Sequence, residues 1–162
     1  MAFSAHLKVD GIEGETADKN YDGQIDVLSY SVAVSNSPNT LGGGFSAGKA
    51  SPSDFTFMLA QGRSSVNLEK FCASGKHVDS VILTLAKSIG EDAGLQDFMT
   101  VTFTDCYISS VSESGGGDVP LNAVSITYSK KKVEYKEQKT AGGSLENAAN
   151  YGWDFKANAA AG

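Results

Sequence analysis

The sequence predicts a mainly β protein: an antiparallel β-barrel of about seven or eight bulged strands with one short α-helix packed on its side. Three observations carry that prediction. Apolar residues recur at period two through most of the 162-residue chain. The apolar phase slips by one residue inside several long runs, as β-bulges make it do, and bulges bend strands into barrels. Helical patterning occurs only once, so nothing supports the alternating strands and helices of a parallel sheet.

Taken in order, Ala5 to Ile12 reads as the first strand, Leu7 and Val9 alternating with His6 and Lys8 until Gly11 and Gly14 break it. After a polar stretch, Ile25 to Ser35 reads as one strand with a slip between Val27 and Leu28. Leu28, Tyr30, Val32 and Val34 form its apolar face, and Ser29, Ser31, Ala33 and Ser35 a face that is small and uncharged. Residues 36–50, with Pro38, glycines 42 to 44 and Gly48, show no period and read as an extended glycine-rich loop of the kind that carries function. Asp54 to Leu59 resumes as strand. Ser65 to Ser74 is the helix: Ser65 or Asn67 caps it, Leu68, Phe71 and Cys72 share a face, and Gly75 holds the left-handed position at its end. Val78 to Leu85 is a strand and Gly90 to Gly94 a turn. Phe98 to Ser112 is the longest strand signal, and its phase changes near Asp105, where Cys106 and Ile108 take over from Met99, Val101 and Phe103. A second glycine loop, Ser114 to Asp118, leads into a strand from Leu121 to Gln138 whose parity changes across Lys130 to Lys132. Residues 141–150 read as a linker, and Tyr151, Trp153 and Phe155 mark a terminal strand over 151–156, so that 1–162 is a single domain.

Nineteen acidic against thirteen basic residues give a formal charge of -6, which weighs against nucleic acid as the main partner, since phosphate binding needs clustered Lys and Arg. No apolar run approaches a membrane span, and the N-terminus lacks the pattern of a signal peptide. The expectation is synthesis in the cytoplasm without membrane insertion, in keeping with two cysteines, Cys72 and Cys106, that suggest no disulfide framework.

Motifs that resemble chemistry fail on inspection. Gly43 to Lys49 fits the glycine and lysine positions of a phosphate loop, but Ala50 stands where Ser or Thr should hold magnesium, and no helix follows. Asp18, Asn20 and Asp22 match the start of a calcium loop whose closing carboxylate is replaced by Ser29. His6 and His77 have no ligand partners at metal spacing, Cys72 reads as core rather than nucleophile, and no catalytic triad assembles. Lys130, Lys131 and Lys132 read as part of a solvated mixed-charge patch.

Seven segments spread over the whole chain then matter together: Ala5 to Glu15, Ile25 to Ser31, Gly42 to Lys49, Phe71 to His77, Ile108 to Ser112, Val124 to Tyr135, and Tyr151-Gly152-Trp153. In order and spacing the chain resembles the Hcp family, the haemolysin-coregulated proteins of the bacterial type VI secretion system. That resemblance implies a non-enzymatic tube subunit without cofactor or metal. It forms homohexameric rings that stack into a hollow tube, expelled by a contractile sheath behind a VgrG-type spike, with effector proteins in the lumen and export without a signal peptide. On that reading Ser29, Ser31 and Ala33 face the lumen. Gly42, Gly43, Gly44, Phe45, Gly48 and Lys49 form a loop that meets a neighbouring subunit or ring. The rival expectation is a calcium-binding or ligand-binding β-barrel module using Asp18, Asn20 and Asp22.

Overall fold

A computed structural model describes residues 3–38, 42, 44, 46–88, 95–138 and 145–161. In chain order it contains β1 (Ser4–Val9), a 3-10 turn (Lys19–Tyr21), β2 (Ile25–Asp26), β3 (Ser29–Ser31), β4 (Val34–Asn36), β5 (Ala50–Pro52), β6 (Phe55–Ala60), α1 (Arg63–Ser74), β7 (His77–Ser88), β8 (Leu95–Ser114), β9 (Leu121–Gln138), β10 (Leu145–Asp154) and β11 (Ala159–Ala160). The main sheet runs β11-β10-β9-β8-β7-β1-β2, with β6 on β9 and β3 on β6; β4 and β5 pair separately. Every ladder is antiparallel.

The long strands hold this sheet together by changing partners along their length. One side of β8 runs the length of β9, whose first part carries β6 and whose second part carries β10. The expected barrel is not closed by a continuous ladder. The N–H of Val27 donates to the carbonyl of Ala5 on β1 (3.0 Å), and the next N–H, that of Leu28, donates to Met58 on β6 (2.8 Å). Two adjacent peptide units therefore bridge the gap. Ile25 to Ser35, expected as one strand, is in fact three short ones, on β1, β6 and β5 in turn. Alternation is a local property that any partner satisfies, whereas the partner is chosen by which sheet edge lies alongside. Its expected apolar face divides accordingly: Tyr30 and Val32 lie against the core, but Leu28 is 60% and Val34 43% exposed.

The phase changes expected in the long strands prove to be a single feature. Val78, Cys106 and Tyr128 are direct partners across β7, β8 and β9, as are Val81, Phe103 and Lys131, and all six are buried. Between these two rows, each strand has two residues where strict alternation allows one. The three strands thus reverse phase along a common crease, at which Asp105 adopts a left-handed conformation (φ 55°). Asp105 is held there by Ser129, whose hydroxyl donates to its carboxylate (3.2 Å), and by Nε2 of His77 (3.2 Å).

Inside lies an aromatic stack, Phe57 against Phe55, Phe55 on Phe103 (4.7 Å between ring centres) and Phe103 on Tyr128 (4.6 Å), ending at Phe155. Phe55, Phe57 and Phe103 are fully buried. The helix supplies Leu68 and Phe71 to this core, with Cys72 half-buried at its margin. It begins at Arg63, two residues before the expected start. Ser65 still stabilises that end, accepting from the N–H of Gly62 (3.0 Å) while donating to its carbonyl (2.7 Å), and Glu15 accepts from the N–H of Arg63 (3.2 Å). Gly75 closes the helix at φ 67°.

Residues 13–24 form a strap over the outside of β1. Tyr21 stacks flat on the buried His6 (4.0 Å, 9°) and donates its hydroxyl to Asp97, and Nε2 of His6 meets Asp26 at 3.3 Å. Burial first, and then the Asp97 carboxylate, keep the Tyr21 hydroxyl protonated well above its usual range. At the other end of the chain, the expected linker over 141–150 is corrected: residues 145–150 belong to β10, hydrogen-bonded to β9, and 141–144 lie outside the described residues, as does the expected turn Gly90 to Gly94. The terminal strand likewise spans Leu145–Asp154 instead of 151–156, and Phe155 turns into the core. Asp154 accepts from the N–H groups of Lys156 and Ala157, folding β11 back onto β10 so tightly that a Cβ at Gly152 would lie 1.9 Å from the carbonyl oxygen of Ala161.

Candidate functional site

On the face opposite the aromatic stack, four strands build a wall of small side chains. Ser31, Thr56, Ser125 and Ser110 form one row across β3, β6, β9 and β8, and Ser29, Met58, Ala123 and Ser112 form the next. The alternate residues of the same strands, Phe55, Phe57, Val124 and Ile126, fill the core, so strand geometry alone turns the small residues outward. Ser29, Ser31, Ser110 and Ser112 are exposed and the other four half-buried; Thr56 and Ser125 share a hydroxyl–hydroxyl hydrogen bond of 3.1 Å.

A bulge in β8 adds one more hydroxyl. Ile108 pairs with Ile126 and Ser110 with Ser125, leaving Ser109 as the extra residue. Its hydroxyl reaches Asp54 Oδ2 at 2.8 Å and the carbonyl of Ser125 at 3.0 Å, while Thr127 donates to Asp54 Oδ1 at 3.1 Å. The Asp54 carboxylate is thus fixed on the wall by donors from two other strands. Next to it a cleft of about 530 Å³ opens between the wall, the crease and the C-terminal turn, lined by Lys49, His77, Asp105, Tyr107, Tyr128 and Lys156 among others.

Of the expected lumen residues, Ser29 and Ser31 sit together on β3, whereas Ala33 lies beyond it, its N–H donating to the hydroxyl of Ser53 (2.7 Å). The expected loop over 36–50 joins the strands of a β-hairpin: its end residues Asn36 and Ala50 pair as the last rung of β4 and β5, and the Asn36 side chain adds a further contact by donating to the carbonyl of Gly48 (2.8 Å) and accepting from its N–H (3.0 Å). A Cβ at Gly48 would lie 2.2 Å from the carbonyl oxygen of Ser37, so this contact requires glycine. Gly42, at φ 87°, and Gly44 are exposed, as is Lys49; Gly43 and Phe45 lie outside the described residues. The lysine run is divided by strand alternation. Lys130 and Lys132 point outward toward Asp154 (3.9 Å) and Glu134 (3.1 Å), and Lys131 is buried beside Phe103, where burial lowers its pKa. In the calcium-loop segment Asp18 accepts from the N–H of Asn20 (3.0 Å), and no group of three or more His, Cys, Asp or Glu among the described residues is placed to hold a metal.

The family model for the type VI secretion system effector Hcp matches residues 6–135. The chain belongs to the Hcp family. Protein hcp1 of Pseudomonas aeruginosa is 34% identical over 161 residues, which covers 98% of each chain. The crystal structure of Hcp1 from Salmonella typhimurium is 34% identical, covering 99% of this chain and 100% of that one, with a TM-score of 0.78. The structure of a type six secretion system protein at 24% identity, covering 99% and 100%, superposes with a TM-score of 0.87 and shows the same fold.

The other six residues of the two wall rows, together with Asp54, were not among the expected site residues. A signal for them exists in the alternation of Ser110 with Ser112 and of Ala123, Ser125 and Thr127, small outward residues between apolar inward ones.

Proposed function

We propose that this Hcp-family protein is a non-enzymatic subunit of the type VI secretion tube, forming hexameric rings that stack around a lumen lined by the serine-rich wall. The observation that carries this reading is the state of the wall's edges. Among the described residues β3 pairs only with β6, and β8 beyond Tyr107 pairs only with β9, so both outer strands of the wall present one unpaired side. Unpaired edges attract further strands. Four alternating antiparallel strands place β3 and β8 in opposite directions, so β3 of one copy meets β8 of the next in antiparallel register at every junction. Contacts of this heterologous kind form a ring when the rotation from copy to copy closes.

The small uncharged surface suits a passage wall, because it offers little for a passing protein to adhere to. The loop over 36–50, with its Asn36–Gly48 contact, carries Gly42, Gly44 and Lys49 toward a neighbouring subunit or ring. Expulsion by sheath contraction, a VgrG-type spike as tip partner and effector proteins as lumen cargo complete the reading, with release from the cell through the machine itself. Size-exclusion chromatography with light scattering, followed by electron microscopy, tests it. The expected result is a ring with a central hole; a strict monomer under all conditions would falsify it.

A further inference from the structure

Resting on the reading of the wall as a lumen lining, we propose that Asp54 sets the specificity of that lining, selecting cargo that presents a lysine- or arginine-bearing segment. From the row Asp54–Thr127–Tyr107 to the row Ser29–Met58–Ala123–Ser112, Asp54 is the one acidic or basic side chain among the described residues of this face. It forms no ion pair among them; its partners are the hydroxyls of Ser109 and Thr127. A carboxylate accepts about four hydrogen bonds, so two accepted hydroxyls orient the group and leave lone pairs for an incoming donor. The bulge at Ser109 serves that orientation: without the extra residue, no second hydroxyl reaches Oδ2. Lys49 and Lys156 line the adjoining cleft, and neither makes an ion pair with Asp54.

In a ring, each copy contributes this carboxylate at the same height, making a belt of negative charge on an otherwise neutral wall. A concave surface of one sign concentrates counter-charge. Cargo with a basic segment is held at the belt, and neutral or acidic cargo is not.

The test compares binding of a fluorescein-labelled oligolysine peptide to the assembled full chain and to Asp54→Asn, Asp54→Glu and Asp118→Asn, with oligoglutamate as the opposite probe. Asn keeps the shape and still accepts a hydroxyl, so ring elution and thermal unfolding should be unchanged while oligolysine binding falls roughly tenfold. Asp54→Glu should retain most of the binding, and Asp118→Asn, which removes an equal charge on the exposed glycine loop, should retain all of it. Equal oligolysine binding by wild type and Asp54→Asn overturns the proposal, as does loss of the ring in Asp54→Asn, which makes the carboxylate an assembly group. Light scattering on the same samples separates the two readings. A monomeric wild type removes the lumen and the belt together, whereas a ring indifferent to Asp54 removes only the belt.

Discussion

The two faces of β6 and β9 are built from alternate residues of the same strands and follow opposite rules. Inward, Phe55, Phe57, Val124 and Ile126 are fully buried and as large as the space allows; outward, Thr56, Ala123 and Ser125 are small, and Met58 is the one long side chain. Size on the inner face secures the fold, because buried area and close packing stabilise it. Smallness on the outer face does nothing for the monomer. On the proposed reading its value lies in what the surface leaves room for.

The largest predicted effect lies on the inner face. Phe103→Ala removes the ring that joins Phe55 to Tyr128 and should cost about 3–5 kcal/mol in denaturant unfolding, against less than about 1 kcal/mol for Ser125→Ala. Similar losses would erase the distinction between the faces. Next is alkaline sensitivity, which also belongs to the interior. Burial, with Asp105 beside it, pushes the Cys106 thiol up to about 12 from its usual 9.0, and burial pushes the Tyr128 hydroxyl up to about 12 from its usual 10.0. The unfolded chain then loses these protons at lower pH than the folded one. Their contribution is intact below about 9 and is lost as pH rises toward 12. Unfolding midpoints measured through that window should fall, and Cys106→Ala should flatten the decline; an unchanged slope would mean that the thiol does not titrate with the fold.

A smaller effect belongs to neither face. Gly75→Ala places a Cβ at a left-handed helix end (φ 67°) and should cost about 1 kcal/mol with no change in assembly. The smallest stability change, within about 0.5 kcal/mol, is expected for Ser31→Arg on the wall. Its rings should persist while cargo retention, scored by co-purification, weakens. Loss of the ring would instead mean that the Ser31 side chain, and not only the β3 backbone, packs against the neighbouring subunit.

Where side chains alternate against a core, the sequence was legible. The reversals near Asp105 and across Lys130 to Lys132 could be read because large residues change parity there. The partner changes of Ile25 to Ser35 could not, since Val27 and Leu28 divide between β1 and β6 for tertiary reasons that leave no mark on local pattern. Residues 145–150 passed for a linker because Asn147, Ala148 and Ala149 lie exposed on β10 and carry no apolar period. The wall was legible in part: Ser29 and Ser31 are recognisable as small and uncharged, but their continuation through Ser125 and Ser110 depends on cross-strand register. The role proposed for Asp54 depends on a bulge that brings in Ser109 from a strand more than fifty residues later in the chain.

The crease also limits how this chain can gain or lose residues. Deleting Asp105 alone would restore strict alternation to β8 across the crease but leave it one residue out of step with β7 and β9 on one side of it, setting inward residues against outward ones. Only a matching deletion in all three strands would bring the rows back into agreement. Length variation among descendants of this sequence is therefore expected in the loop over 36–50 and the turns, while the spans from Val78 to Val81, Phe103 to Cys106 and Tyr128 to Lys131 change together or not at all.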